Sequence, residues 1–248
     1  MPASFSSLKP ALSDLSLSKR LVLVHASPTV NADELLSALL ETTSGFITPT
    51  FTPKSLLPLE YHPAHPKVDV SSAEPFHPAM PADEAVGSFA ELVRQHPKAK
   101  RSLHPVFSFA GIHADALIHA QTDREPYAPI VSLAEQDGVI LLIGMDQRVN
   151  FSIHYGEKIA GRMQFIRWAL TENGIAECPN FPGDAEGFNA LVDNVKSFTR
   201  RADVNGMAIQ AIPVNDLLRA VVNKIHSDPY ALLCSDPTCE RCEVVRWG

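Results

Sequence analysis

The segment Val139-Ile140-Leu141-Leu142-Ile143, bounded by Gly138 and Gly144, is an apolar run that does not alternate. A strand with one wet face alternates apolar and polar residues, so this run reads as a strand covered on both faces. Open sheets of that kind bind ligands beyond the carboxyl ends of their strands. There the chain continues as Asn150-Phe151-Ser152-Ile153-His154-Tyr155-Gly156-Glu157. If His154 opens a helix, its i,i+3 spacing to Glu157 puts imidazole and carboxylate on one face. That is the arrangement of a general base with an orienting or proton-accepting partner. A histidine bonded to a backbone carbonyl at a helix start is the plainer reading, and both stand at this point.

Strands and helices alternate before that segment. Leu21-Val22-Leu23-Val24 is a short strand ending at His25-Ala26-Ser27, and Asn31 or Asp33 caps a helix over 34–42. Gly45-Phe46-Ile47 starts a second strand, 85–95 is helical, 106–110 is a strand and 114–120 a short helix. Beyond Glu157 the pattern predicts a continuing helix or extended arm over 158–168, an amphipathic helix over 188–199 and another over 214–224. This alternation predicts a layered α/β/α sandwich around a central mixed sheet. Prolines concentrate between Pro49 and Pro105, which reads as a long irregular excursion over the sheet edge, with 54–70 as an exposed loop. Residues 1–19 read as an N-terminal extension, and 20–248 as one α/β domain with a cysteine-rich tail.

A formal net charge of −7 disfavours a nucleic-acid backbone binder. The Ser-rich stretch from Met1 to Lys19 has no sustained apolar core, and no apolar run approaches a membrane span. The expectation is a soluble, cytoplasmic protein with no nucleic-acid or membrane partner.

All four cysteines fall late, at Cys178, Cys234, Cys239 and Cys242. Cys239-Glu240-Arg241-Cys242 has the spacing of a thiolate metal knuckle, and Cys234 with Cys178 completes a closed set of four. A closed four-thiolate site is structural, because no position stays open for water. The spacing is read as a structural zinc site, with disulfides, a redox pair and unlinked thiols as the competing readings.

Several segments resemble, in order, the aminoglycoside 3-N-acetyltransferase family. Leu23-Val24-His25-Ala26-Ser27 resembles its opening strand and HxS turn, and Thr48-Pro49-Thr50-Phe51-Thr52 its second strand end. Phe76 through Pro81, then Gly87, Glu91, Arg94 and Pro97, resemble a further stretch. Arg101-Ser102-Leu103-His104-Pro105 matches the RSxHP loop, and 150–157 resembles its NTSxHxxE segment.

The resemblance implies an acetyl-coenzyme A dependent N-acetyltransferase acting on a small amine such as one of an aminoglycoside, hence an antibiotic-resistance activity. It implies that His154 is the general base, with Glu157 orienting it or holding the substrate ammonium. An imidazole with an ordinary pKa near ~6.5 accepts a proton at cytoplasmic pH. It also implies that His25, Ser27, Arg101 and Ser102 face the coenzyme, while His104 packs inside its loop. The chain departs from the family at 28–33, which lacks a glycine-rich turn, and at Phe151, where the family has threonine. A non-catalytic or substrate-diverged member binding a ligand or partner in the same cleft is the alternative. A hydrolytic zinc held by His25, His154 and Glu157 is a third reading, against which their spacing counts.

Overall fold

The computed structural model describes residues 3–64 and 67–247. Its strands are β1 (Ala3–Phe5), β2 (Leu21–Ala26), β3 (Gly45–Pro49), β4 (Lys100–Arg101), β5 (Phe109–Ile112), β6 (Val139–Ile143), β7 (Phe165–Thr171), β8 (Gly174–Phe181), β9 (Arg200–Val204) and β10 (Met207–Pro213). The helices are α1 (Leu8–Asp14), α2 (Ala32–Thr42), α3 (Ser88–Gln95), α4 (Asp115–Ala120), α5 (Ala128–Glu135), α6 (Ser152–Ile159), α7 (Val192–Val195), α8 (Val214–Ser227) and α9 (Glu240–Trp247).

Eight strands form one sheet in the order β1-β9-β10-β6-β2-β3-β5-β4. The centre β6-β2-β3 is parallel, with Leu23 opposite Ile140 and Ile47, and the flanking pairs β10-β6 and β3-β5 are antiparallel. The sheet is therefore mixed, as the alternation predicts, and all five residues of β6 are buried.

Side chains alternate across a strand, so each central strand feeds two cores. Leu23, Ile140 and Leu142 point into one core, packed by α4, α5, α6 and α8. Val22, Val24, Leu141 and Ile143 point into the other, packed by α1, α2 and α3. The result is a three-layer α/β/α sandwich. Asn31 starts α2 by accepting a hydrogen bond from the Glu34 amide at 3.1 Å. Residues 28–33 therefore build a capped helix start without glycine.

The segment read as an N-terminal extension is part of this body. Strand β1 pairs in parallel with β9, and Leu8, Ala11 and Leu12 of α1 are buried. Its serine-rich composition hid three apolar residues at i, i+3 and i+4, which form a helical stripe. Two further expectations change. The arm over 158–168 splits into the end of α6 and the start of β7, which pairs with β8 as a separate two-stranded sheet. The helix expected over 188–199 shortens to a 3-10 turn over Phe188–Leu191 followed by α7.

Candidate active site

Parity along β2 puts His25 on the same face as Leu23, toward α6. There it lines a cleft of about 520 Å³ together with Thr48, Phe51, Phe107, Phe151 and His154. The cleft lies beyond the carboxyl ends of the parallel strands β2, β3 and β6, where an open sheet offers its ligand site.

His154 is the third residue of α6. Its backbone N–H donates to the Phe151 carbonyl, while its ring Nδ1 lies 2.8 Å from Glu157 Oε2. The imidazole therefore pairs with the carboxylate rather than with a backbone carbonyl. The second carboxylate oxygen, Glu157 Oε1, accepts from Arg162 Nη1 at 2.6 Å. Arg162 is itself fixed by donating to the carbonyls of Pro229 at 2.8 Å and Ala231 at 2.7 Å. A carboxylate oxygen accepts, so this pairing suits a proton on Nδ1 and leaves Nε2 as the ring nitrogen free for chemistry. Both oxygens of Glu157 are thus engaged within the protein, one by His154 and one by Arg162.

Packing completes the positioning. His154 stands edge-on to Phe188 and Phe151, with ring centroids at 4.7 and 5.7 Å. Phe151 also meets Phe51, Phe107 and Tyr127 within 5.4 Å. Phenylalanine at this departure from the family pattern thus supplies an aromatic buttress where a threonine would supply a hydroxyl. On the far side of α6, a Cβ at Gly156 would lie 2.7 Å from Val221 Cγ1, so glycine is what lets α6 and α8 cross this closely.

His25 is 6% exposed, its Nε2 has no hydrogen-bond partner, and burial pulls its pKa down to about 3. It faces the cleft as a neutral ring. Ser27 sits just past β2, where its amide donates to the Ile143 carbonyl at 2.8 Å and its hydroxyl lies 2.9 Å from Thr29 Oγ1.

Arg101 and Ser102, expected to face a coenzyme, have other partners. Arg101 donates to the carbonyls of Thr50 at 2.7 Å and Pro78 at 3.1 Å, to the Met80 carbonyl, and to Ser108 Oγ at 3.1 Å. Ser102 Oγ accepts from the Phe109 amide at 2.8 Å and donates to Gln121 Oε1. A guanidinium is the side chain with enough donors to serve several carbonyls at once, and here it ties the proline-rich excursion to the sheet. Neither residue lines the cleft. His104 packs as expected, with Nδ1 accepting from the amides of Val106 at 3.1 Å and Phe107 at 3.0 Å.

The cysteine set also changes. Cys178 is fully buried on β8 in the main core, and burial pushes its thiol up to about 12, so it is an apolar packing residue. Asp184 takes its place beside Cys234, Cys239 and Cys242, with the four ligand atoms within 4.8 Å of one another. This is the one such grouping among the described residues, and it does not include His25, His154 or Glu157.

Arg162 and Asp184 are the site residues that sequence reasoning missed. Arg162 lies five residues past Glu157, after Gly161 has ended the helix with a φ of +84°, so helical spacing alone does not reveal the pair. Asp184 carries no local signal.

A family model described as aminoglycoside 3-N-acetyltransferase matches residues 23–225. The chain belongs to the aminoglycoside 3-N-acetyltransferase family. It is 34% identical over 92 residues to aminoglycoside N(3)-acetyltransferase IV from Salmonella sp, and that match spans 35% of this chain and 35% of the relative. The crystal structure of the apoenzyme of aminoglycoside acetyltransferase AAC(3)-IVa superimposes with a TM-score of 0.78 at 22% identity, covering 99% of this chain and 98% of that one. AAC-IIIb, solved as a binary complex with CoASH, superimposes with a TM-score of 0.72 at 16% identity, covering 88% of this chain and 94% of that one. These two likenesses establish a shared fold over nearly the whole chain. No helix among the described residues is long and apolar enough to cross a membrane.

Proposed function

We propose that this family member transfers the acetyl group of acetyl-coenzyme A to an amine of an aminoglycoside, with His154 as general base and Glu157 as its positioning partner. The observation that carries the reading is the hydrogen-bonded chain Arg162-Glu157-His154 at the wall of the cleft. In the reaction, His154 Nε2 takes a proton from the acceptor nitrogen as that nitrogen attacks the thioester carbonyl. The tetrahedral adduct then collapses, a C–N bond replaces the C–S bond, and coenzyme A leaves as its thiolate. The proton makes His154 an imidazolium beside Glu157, and a fixed anion stabilises that charge as it develops.

His25 is the further ring on this wall. As a neutral group with Nε2 unpartnered, it suits a hydrogen bond to the coenzyme or acyl group better than proton transfer at neutral pH. The binary complex of AAC-IIIb with CoASH supports a coenzyme role for the same fold. Ser27 lies at the adjacent turn, next to Ala26 of the lining but outside it, and is proposed to meet the coenzyme only at that edge. Such an activity would confer antibiotic resistance, and a cytoplasmic site of action fits both the supply of acetyl-coenzyme A and the four unlinked cysteines.

The test is His154→Ala, assayed by release of free coenzyme A thiol with a panel of aminoglycosides, alongside calorimetric binding of acetyl-coenzyme A. The expected outcome is a fall in kcat of about 10²- to 10⁴-fold with coenzyme binding retained. Unchanged turnover would remove His154 from the mechanism. A folded parent protein that binds no acetyl-coenzyme A would favour the non-catalytic alternative.

A further inference from the structure

We infer that Asp184, Cys234, Cys239 and Cys242 form a structural zinc site that clamps the C-terminal tail to the rim of the cleft. Four ligand atoms within 4.8 Å of one another match the spacing around one tetrahedral ion, since ligand bonds of about 2.0–2.3 Å put neighbouring donors roughly 3–4 Å apart. Three thiolates with one carboxylate select a borderline-soft ion and count against magnesium or calcium, which want oxygen alone.

The surrounding chain is built for this convergence. Cys239 immediately precedes α9 and Cys242 lies in its first turn, and the Cys239 carbonyl accepts from the Glu243 amide at 2.9 Å. Cys234 lies on the preceding loop, and its carbonyl accepts from Arg246 Nη2 at 2.6 Å, so α9 is tied back onto that loop. Asp184 comes from the connection after β8. That connection can approach the tail because residue 187 is glycine. A Cβ there would lie 2.4 Å from the carbonyl oxygens of both Leu232 and Leu233. The three cysteines are free thiols, with Cys234 and Cys242 buried and Cys239 partly exposed, which leaves an entry path for the ion.

The site sits outside the catalytic network but adjoins the cleft. Asp184 and its neighbours Gly183 and Glu186 line the cleft, as does Arg241, which lies between two of the ligands. Arg241 also stacks over Phe181 at 5.9 Å from the ring centroid. An ion here would fix the rim and the last helix together, independently of whether the acetyl-transfer reading holds.

The experiment measures metal content by mass spectrometry, and thiolate ligation from the near-ultraviolet charge-transfer band after cobalt substitution, on the whole chain purified without chelator. The expected result is one zinc per chain, a strong thiolate-to-cobalt band, and a lower melting temperature after chelation that added zinc restores. Asp184→Ala and Cys239→Ser should each weaken zinc binding by at least about tenfold, whereas Cys178→Ser should leave it unchanged. Circular dichroism establishes that each variant is folded. Zinc-free protein that fails to take up zinc or cobalt overturns the inference. So does retention of full affinity by Asp184→Ala, loss of metal on Cys178→Ser, or a disulfide among the three tail cysteines.

Discussion

Arg162→Met isolates the buried pair behind His154. Arg162 Nη1 and Glu157 Oε1 lie 2.6 Å apart with both side chains only 4% exposed. Methionine keeps most of the apolar stem but removes the cation, leaving a buried carboxylate whose one remaining partner is an imidazole. Breaking a buried ion pair from one side costs about 3–5 kcal/mol, because the stranded charge loses its partner without regaining water. The carbonyls of Pro229 and Ala231 also lose donors, adding up to about 1 kcal/mol each. Glu157→Gln in the same chain removes the stranded charge, so the double variant should recover about 2 kcal/mol relative to Arg162→Met, a coupling that urea unfolding resolves. The kinetic signature differs from that of stability. Arg162 does not line the cleft, so its loss should lower kcat by about 10- to 100-fold through misplacement of the base, with little change in KM for coenzyme. The double variant should regain stability without regaining rate. If Arg162→Met unfolds within about 0.5 kcal/mol of the parent, or if the double variant restores kcat, the chain Arg162-Glu157-His154 does not act as argued.

Two further outcomes rest on geometry away from that pair. Gly156→Ala should destabilise by about 1–2 kcal/mol even though alanine favours helix, because its Cβ would meet Val221 Cγ1 at 2.7 Å. Combining it with Val221→Ala should give a coupling of about 1 kcal/mol, and strict additivity of the two changes would refute a direct contact. His25 and His104 each have a pKa pulled by burial from 6.5 to about 3. The unfolded chain then binds protons that the folded chain refuses, so stability is full above about pH 6.5 and falls as pH drops toward 3. Two such groups give a slope of up to about 2.7 kcal/mol per pH unit. His104→Asn keeps an acceptor for the two loop amides and should remove about half of that slope between pH 6 and 5, as read by urea midpoints. An unchanged slope would mean that His104 is not held neutral.

Legibility followed the range of the physics involved. The β6 strand, α2 with its Asn31 cap and the His154–Glu157 pairing were readable because periodicity and capping act over a few residues. The hairpins β7-β8 and β9-β10 were missed although Asn173-Gly174 and Asn205-Gly206 stand at their turns, with Gly174 and Gly206 at φ of +111° and +88°. Asparagine-glycine between apolar runs is a hairpin signal, and at both turns it is the local cue present in the sequence. Arg101 misled for a different reason. A cation in a family loop suggests an anion to bind, yet carbonyls displaced from regular structure by the proline-rich excursion need donors just as strongly. Which demand an arginine meets depends on the carbonyls that the fold gathers round it, here those of Thr50, Pro78 and Met80, up to 51 residues away. The same logic governs Asp184. Spacing within the tail brings out Cys239 and Cys242, while Asp184 reaches Cys234, Cys239 and Cys242 only through a backbone contact between distant segments at Gly187, which no local spacing reveals.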